Sequence, residues 1–425
     1  MRSPNDRSEA PVRPRSAPFP GAPHEGYRAG APEYRRIAVA LFAAGVATFA
    51  LLYSTQALLP ELATAFHVSA GQSTLSLSLT TLGLGVALLV AGPVSEVVGR
   101  TRLIHASLAT SSLVALACTF APSWPVLLGL RLLQGLTLAG LPAVATAYLR
   151  EELHRDTHAR AAGLYIGGTA LGGMTGRLVT GAVADAAGWR AALGAIAVVG
   201  VACTVAVFVL LPGSRNFVAQ SASPRHLAAL ARDAVTDRAL LALYGIGACS
   251  MGAFVAVYNA MGFRLTAPPF SLGLGAAGLV FLVYPIGTVS SIVAGRVADR
   301  FSRRLVVPVG CGITAGGVLL TVPDSLPVVV TGLAVMTAGF FAVHGVASGW
   351  VPTRAHAGGV ASGQAASLYL FAYYLGSSVF GSAAGRAWSS GGWSEVTMLA
   401  LVLVGVSALA AAYLRRTPSL DPVRS

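Results

Sequence analysis

The sequence predicts an all-α membrane protein with twelve transmembrane helices in two pseudo-symmetric six-helix bundles. Three observations carry that expectation. Of 425 residues, 55% are hydrophobic and 11% charged, against roughly 25% charged in a soluble domain. Apolar stretches of the ~20 residues that cross a bilayer recur from Ile37 to Leu414, separated by short polar breaks. The chain also repeats itself. Gly92 with Glu96 and Arg100 returns as Gly295 with Asp299 and Arg303, and Gly188-Trp189 returns as Gly392-Trp393, at offsets of 203 and 204.

The expected spans are 37–60, 72–93, 103–121, 125–149, 160–184, 190–212, 239–263, 272–294, 304–322, 326–351, 359–385 and 394–414. The longest internal break, polar and Arg-bearing, divides them six and six. The domains are therefore a bundle over 37–212, a cytoplasmic linker over 213–238 and a bundle over 239–414. Residues 1–36 hold seven Pro and seven Arg without a sustained apolar run, and read as a disordered cytoplasmic tail. Residues 415–425 form a second tail. The first apolar stretch is too long for a cleaved signal and ends at Leu58, Leu59 and Pro60 rather than at small residues.

The formal charge of +13 is carried entirely by Arg, with no Lys. With the amino terminus placed in the cytoplasm, 24 of the 29 Arg fall on that side, and only Arg190, Arg264 and Arg386 on the other. This is the positive-inside bias and puts both termini in the cytoplasm. It leaves nothing for a nucleic-acid partner to explain; the basic face meets anionic lipid headgroups. Cys118, Cys203, Cys249 and Cys311 sit singly in apolar spans, so neither a disulfide framework nor a metal site is expected. No phosphate-binding loop and no nucleophile–base signature occurs, so neither an enzyme nor a cofactor is expected.

The segment LYSTQALLPE at 52–61 and the SLTT run at 78–81 resemble the drug:proton antiporter-like permeases of the major facilitator superfamily, the subgroup of predicted sugar or drug efflux permeases. The resemblance covers essentially all of 37–414 and implies the major facilitator fold, with the substrate site between the halves near the midplane. Gly92, Glu96, Gly99 and Arg100 fit the family's G-x-x-x-D-R-x-G-R-R/K loop, with Glu for Asp and Val97 for the first Arg. Gly295, Asp299, Arg300 and Arg303 fit it again, with Ser302 for Gly. The resemblance implies a latch that biases the outward-facing state, in which the Gly let helix ends approach and the acid faces a helix N-terminus.

Arg131, Gln134 and Gly135 match the R-x-x-Q-G element of the fourth span, which the family associates with proton coupling. Val335 and Ala338 stand at the second-half positions, and that asymmetry points to function rather than architecture. In the fifth span, Gly163, Gly172, Gly176 and Gly181 keep the family's antiporter spacing, but Arg177 replaces Pro. No Asp or Glu lies mid-span: Glu61 and Asp185 fall at outer ends, and Asp324 in an outer loop. The cavity is therefore expected to be positive, repelling lipophilic cations and suiting a neutral polar or anionic solute. Its candidate lining is Tyr53, Gln56, Tyr165, Tyr258, Asn259, Tyr284, Gln364, Tyr369 and Tyr373, with Arg131, Gln134, Arg177 and His344 in coupling. His344 is the group able to titrate in place of a carboxylate. The function expected is efflux of a small molecule coupled to protons, by a monomer in the bacterial cytoplasmic membrane. An uptake symporter or exchanger, and a non-transporting sensor, are the competing readings.

Overall fold

Residues 25–217 and 231–417 are described by the structure, a computed structural model. The expected tail up to residue 24, the linker over 218–230 and the final tail from 418 lie outside the described residues. Ten helical segments are long and apolar enough to cross a membrane. Two of them, Arg155–Leu210 and Ser362–Arg416, hold 56 and 55 residues. At 1.5 Å per residue each would run about 80 Å, far beyond the ~30 Å hydrocarbon core. Both fold back instead, at Gly188 (φ 78°) and at Gly391–Gly392 (φ 64° at Gly392). A positive φ is open to Gly and strained for other residues, which explains why the repeated Gly-Trp pairs begin with Gly. Counted across these two turns, the described residues make twelve helical passes.

We number the passes α1 (Pro32–Ala65), α2 (Ala70–Val98), α3 (Arg100–Thr119), α4 (Trp124–Glu152), α5 (158–187), α6 (189–210), α7 (Arg238–Thr266), α8 (Leu274–Arg300), α9 (Arg303–Leu320), α10 (Leu326–Ala357), α11 (362–390) and α12 (393–416). Their alternation places the starts of α1 and α7 at one end of the molecule, here the terminal end, and the α5–α6 and α11–α12 turns at the far end.

The first pass begins at Pro32, not 37, because Pro at the first helical position needs no hydrogen-bond partner. Residues 25–36, within the expected tail, pack against the first half. Tyr27 exchanges backbone hydrogen bonds with Glu152 (2.9 Å) and His154 (3.0 Å), and its ring lies under the Arg215 guanidinium. The start of the linker is also held to the first half. The Tyr148 hydroxyl donates to the Pro212 carbonyl (2.8 Å), and the buried Glu152 carboxylate accepts from the Arg215 and Asn216 amides.

Within each half, Gly rows let passes cross at backbone contact. A Cβ on Gly168, Gly172 or Gly176 would strike Phe42, Val46 or Ala50 of α1. The equivalent contact in the second half sets Gly376 of α11 against Ala248 of α7. Gly163 has open space around it, so the expected close packing starts further along α5.

Candidate functional site

The α1 helix breaks at Ser54–Thr55 and resumes through a short turn over Gln56–Leu58. Pro60 has no N–H to give to the preceding turn, so a regular helix cannot continue through it. The break frees the carbonyls of Leu51 and Leu52, and Arg131 of α4 takes them. Its Nη1 donates to Leu51 O (3.1 Å), Ser54 Oγ (3.1 Å) and Gln134 Oε1, its Nη2 to Leu52 O (2.8 Å) and its Nε to Ser76 O (3.0 Å). At 1% exposed, its guanidinium is enclosed and its donors are used. The α7 helix runs unbroken from Arg238 to Thr266, leaving no freed carbonyls for an equivalent Arg. The asymmetry between the halves at Arg131 thus accompanies a break that α1 has and α7 lacks.

Arg177 is placed differently. It is 2% exposed, on the α5 face toward the second half. Its Nε donates to Gln56 Oε1 (2.5 Å) and its Nη1 to the Gly173 carbonyl (2.6 Å). Its Cζ lies 4.0 Å from the Tyr53 ring centre, 4.5 Å from Tyr284 and 4.9 Å from Phe281. Nη2 makes no hydrogen bond, and Arg177 no ion pair, among the described residues. Gln56 in turn donates to Asn259 Oδ1 (2.7 Å), whose amide reaches the Gly381 carbonyl (3.4 Å). Four passes from both halves, α1, α5, α7 and α11, meet in this one chain of contacts.

Beside it stands an aromatic wall from the second half. Phe254 stacks on Phe340 (4.1 Å), and the Phe254 and Phe341 rings meet Tyr284. His344 packs on Tyr373 (4.6 Å) and shares a 3.0 Å hydrogen bond with the Tyr369 hydroxyl. Tyr258 stacks on Phe281 and hydrogen-bonds Thr337 at 2.8 Å. The Tyr284 hydroxyl is buried without a partner.

The structure therefore brings together Tyr53, Gln56, Arg177, Tyr258, Asn259 and Tyr284, with His344, Tyr369 and Tyr373 along the adjoining wall. Tyr165 packs into the first-half core with Ile37 and Leu41. Gln364 sits near the terminal start of α11, five residues before Tyr369. Gln134 holds Arg131 and stays in the α1 break.

The latch differs from expectation in this state. No atom lies within 4 Å of a Cβ built on Gly92 or Gly295, so neither serves a close approach. Gly99 is required by its φ of 102°. Arg100 pairs with Glu151 at 3.1 Å and with Glu96 at 3.9 Å, inside its own half. Asp299 and Arg300 are exposed, and Arg303 is half-buried at the start of α9.

Sequence reasoning placed Asp185 at the outer end of α5 without seeing its partner. Its carboxylate accepts from the Leu274 amide (2.7 Å) and the Gly275 amide (2.6 Å), joining the first half to the N-terminus of α8. Nearby, Gly385 of α11 meets the Ala70–Gly71 backbone, and Pro60 packs on Gly262. A void of ≈ 10 Å³ lined by Gln56, Tyr258, Phe281 and Gly278 separates the Arg177 network from this end, room for about one water. At the terminal end the Arg100–Glu151 and Arg354–Asp237 pairs each join passes of one half. The halves are closed against each other at the far end.

The family model described as Major Facilitator Superfamily matches residues 38–363. The chain belongs to this superfamily. It is a multi-pass membrane protein built to move a solute. It is similar to YybF of Bacillus subtilis (strain 168), an MFS-type transporter named as uncharacterised, at 39% identity over 94% of this chain and 98% of that one. The inner membrane transport protein YnfM of Escherichia coli (strain K12) is also 39% identical, over 90% of this chain and 91% of its own. Among solved structures, a bacterial homologue of the human lysosomal transporter Spinster, inward-facing and occupied, superposes with a TM-score of 0.70. That pair is 13% identical and covers 91% of this chain and 97% of the other. At that identity the likeness speaks for the fold.

Proposed function

We propose that this protein is a secondary transporter of the bacterial cytoplasmic membrane that exports a small neutral or anionic compound by alternating access, coupled to protons, as a monomer. The observation that carries this reading is the Arg177 guanidinium, buried between the halves with no acidic partner among the described residues. A buried charge without a counter-ion is costly, and a bound anion supplies one. A lipophilic cation would meet repulsion instead.

The moving bodies are 37–212 and 239–414, with the linker 213–238 between them. The excess of Arg at the terminal end favours a cytoplasmic location for both termini, which makes the state described inward-facing. Rocking one half on the other would break the Asp185 contact to α8 and open the far side. The loop acids and Arg of the family latch, unengaged between halves here, would then meet at the terminal end. Arg131 and Gln134 act in this cycle by fixing the α1 break that carries Gln56. His344, hydrogen-bonded to Tyr369 beside the network, is the base proposed to carry the coupled proton.

Reconstitution into proteoliposomes with an imposed proton gradient tests the reading. A panel of anionic, neutral and cationic solutes of similar size is offered from either side. Proton-driven export of anions or neutral solutes that disappears in Arg177→Gln supports it. Transport of the cations alone overturns the charge selectivity, and uphill uptake overturns the direction. A pH profile unchanged in His344→Gln removes His344 as the proton carrier.

A further inference from the structure

We infer that Arg177, Tyr284 and the wall formed by Phe340, His344 and Tyr373 make a binding subsite for an aromatic monocarboxylate. This deepens the anionic reading above and depends on it. The charge requirement comes from Arg177: Nη2 is left without a hydrogen bond while Nε and Nη1 are fixed by Gln56 and Gly173. The buried Tyr284 hydroxyl, whose ring already lies 4.5 Å from that guanidinium, also lacks a partner. One carboxylate satisfies both, accepting from Nη2 with one oxygen and from the Tyr284 hydroxyl with the other.

The number of anionic groups follows from the other cations. Arg131 has its donors committed to the α1 break. Arg264 is committed at the far end to the Thr321, Val322 and Pro323 carbonyls and to Asp324. With His344 neutral, a second carboxylate or a phosphate dianion would find no uncommitted cation midway along the described passes. A sugar is disfavoured by the same accounting, because the Gln56 amide is spent on Asn259, the Asn259 amide on the Gly381 carbonyl, and the Tyr258 hydroxyl on Thr337.

The ring requirement comes from the wall. The Phe340 and His344 rings are parallel at 5.9 Å, His344 and Tyr373 lie 4.6 Å apart, and Phe254 backs Phe340 at 4.1 Å. Phe340 is 1% exposed and backs the wall, so the surface offered is that of the half-buried His344 and Tyr373, which favours a flat π-system by offset or edge contacts beyond what its apolar area gives to an aliphatic ring.

The experiment measures ligand-induced thermal stabilisation of the purified full-length protein in detergent. The probes are benzoate, cyclohexanecarboxylate, benzamide and benzylammonium. Benzoate is expected to bind most tightly, with benzamide and cyclohexanecarboxylate each about tenfold weaker or more and benzylammonium without effect. Arg177→Lys should retain part of the benzoate response, and Arg177→Gln should lose the preference for benzoate over benzamide. Tyr373→Leu should lose the preference for benzoate over cyclohexanecarboxylate. Monodisperse elution of each variant excludes misfolding as the cause. Equal affinity for benzoate and cyclohexanecarboxylate overturns the aromatic class while leaving the anion reading intact. Benzamide matching benzoate, with Arg177→Gln unchanged, sinks both. Absence of any response to benzoate overturns the subsite.

Discussion

The Gln56 side-chain amide donates to Asn259 Oδ1 at 2.7 Å, linking residues 203 positions apart across the two halves. That separation is the repeat offset seen in the sequence, so two loosely corresponding positions of the duplication hydrogen-bond each other where the halves meet. Gln56 is also the hydrogen-bond acceptor of Arg177 Nε. Replacing Gln56 by Ala leaves Nε unpaired and severs the link. Gln56→Ala is expected to lower solute flux by about tenfold or more, from a loss of ~1.5–3 kcal/mol at a buried charge-assisted bond, with little change in the amount of folded protein. Flux in proteoliposomes and elution volume measure the two effects.

Arg131 should behave in the opposite way. Its partners are the broken end of α1, and removing it strands those carbonyls in a dry interior. Arg131→Met is expected to destabilise the protein by about 3–5 kcal/mol, read as a lower melting temperature and poor recovery from membranes. A stable Arg131→Met protein that binds solute but has lost proton coupling would return Arg131 to a direct coupling role.

Two Gly on α5 make a paired test. A Cβ on Gly176 would lie 2.6 Å from the Ala50 carbonyl oxygen, whereas nothing stands within 4 Å of one on Gly163. Gly176→Val is expected to prevent assembly of the first half, at a cost above the ~1–3 kcal/mol of ordinary overpacking. Gly163→Val should express and melt like the wild type.

Far-end closure is open to a covalent test. A Cβ on Gly71 falls 3.5 Å from the Arg386 Cα, which holds the two Cα atoms within the ~7 Å beyond which two Cys cannot be bridged without backbone movement. Gly71→Cys combined with Arg386→Cys should stop transport under oxidising conditions, with recovery on adding dithiothreitol. Full transport by the oxidised, bridged protein would mean that these ends do not separate in the cycle.

Asp237 caps α7, accepting from the Ala239 (2.7 Å) and Leu240 (3.0 Å) amides and from Arg354 (2.9 Å). Burial alone would raise its pKa, but the backbone amides and Arg354 outweigh burial and hold it below the usual aspartate value. A depressed acid contributes stability above its unfolded pKa and loses it as pH falls through the folded one. Asp237→Asn is therefore expected to cost about 1 kcal/mol at neutral pH, with the gap from wild type closing below about pH 4. Melting curves across pH 3–7 would show it.

The all-helical, membrane-crossing architecture was legible because hydropathy over ~20 residues reports the bilayer directly. The repeated Gly-Trp pairs were legible too, although only the backbone reveals that they are hairpin turns. The α1 break at Ser54 was not, since hydropathy runs through it. Hydropathy therefore shows Arg131 as a lone charge in a span, and not that it binds the carbonyls freed at the break. Arg177 was legible as a buried cation because a charge in an apolar run is conspicuous. Its aromatic surroundings were not, because Tyr53 lies far from it in one direction along the chain and Phe281 and Tyr284 far from it in the other. Asp185 was seen as an end-of-span acid, but an acceptor for backbone amides leaves no mark at the partner positions.

The unpaired Arg177 also fixes where the membrane potential acts. On the proposed reading, and with His344 neutral, an empty carrier holds a net positive charge between its halves, while a carrier with a monoanion on Arg177 holds none there. Each elementary charge moved through the field is worth about 2.3 kcal/mol per 100 mV. The reorientation sensitive to voltage is then that of the empty carrier, and the loaded carrier turns over at a rate that voltage leaves alone.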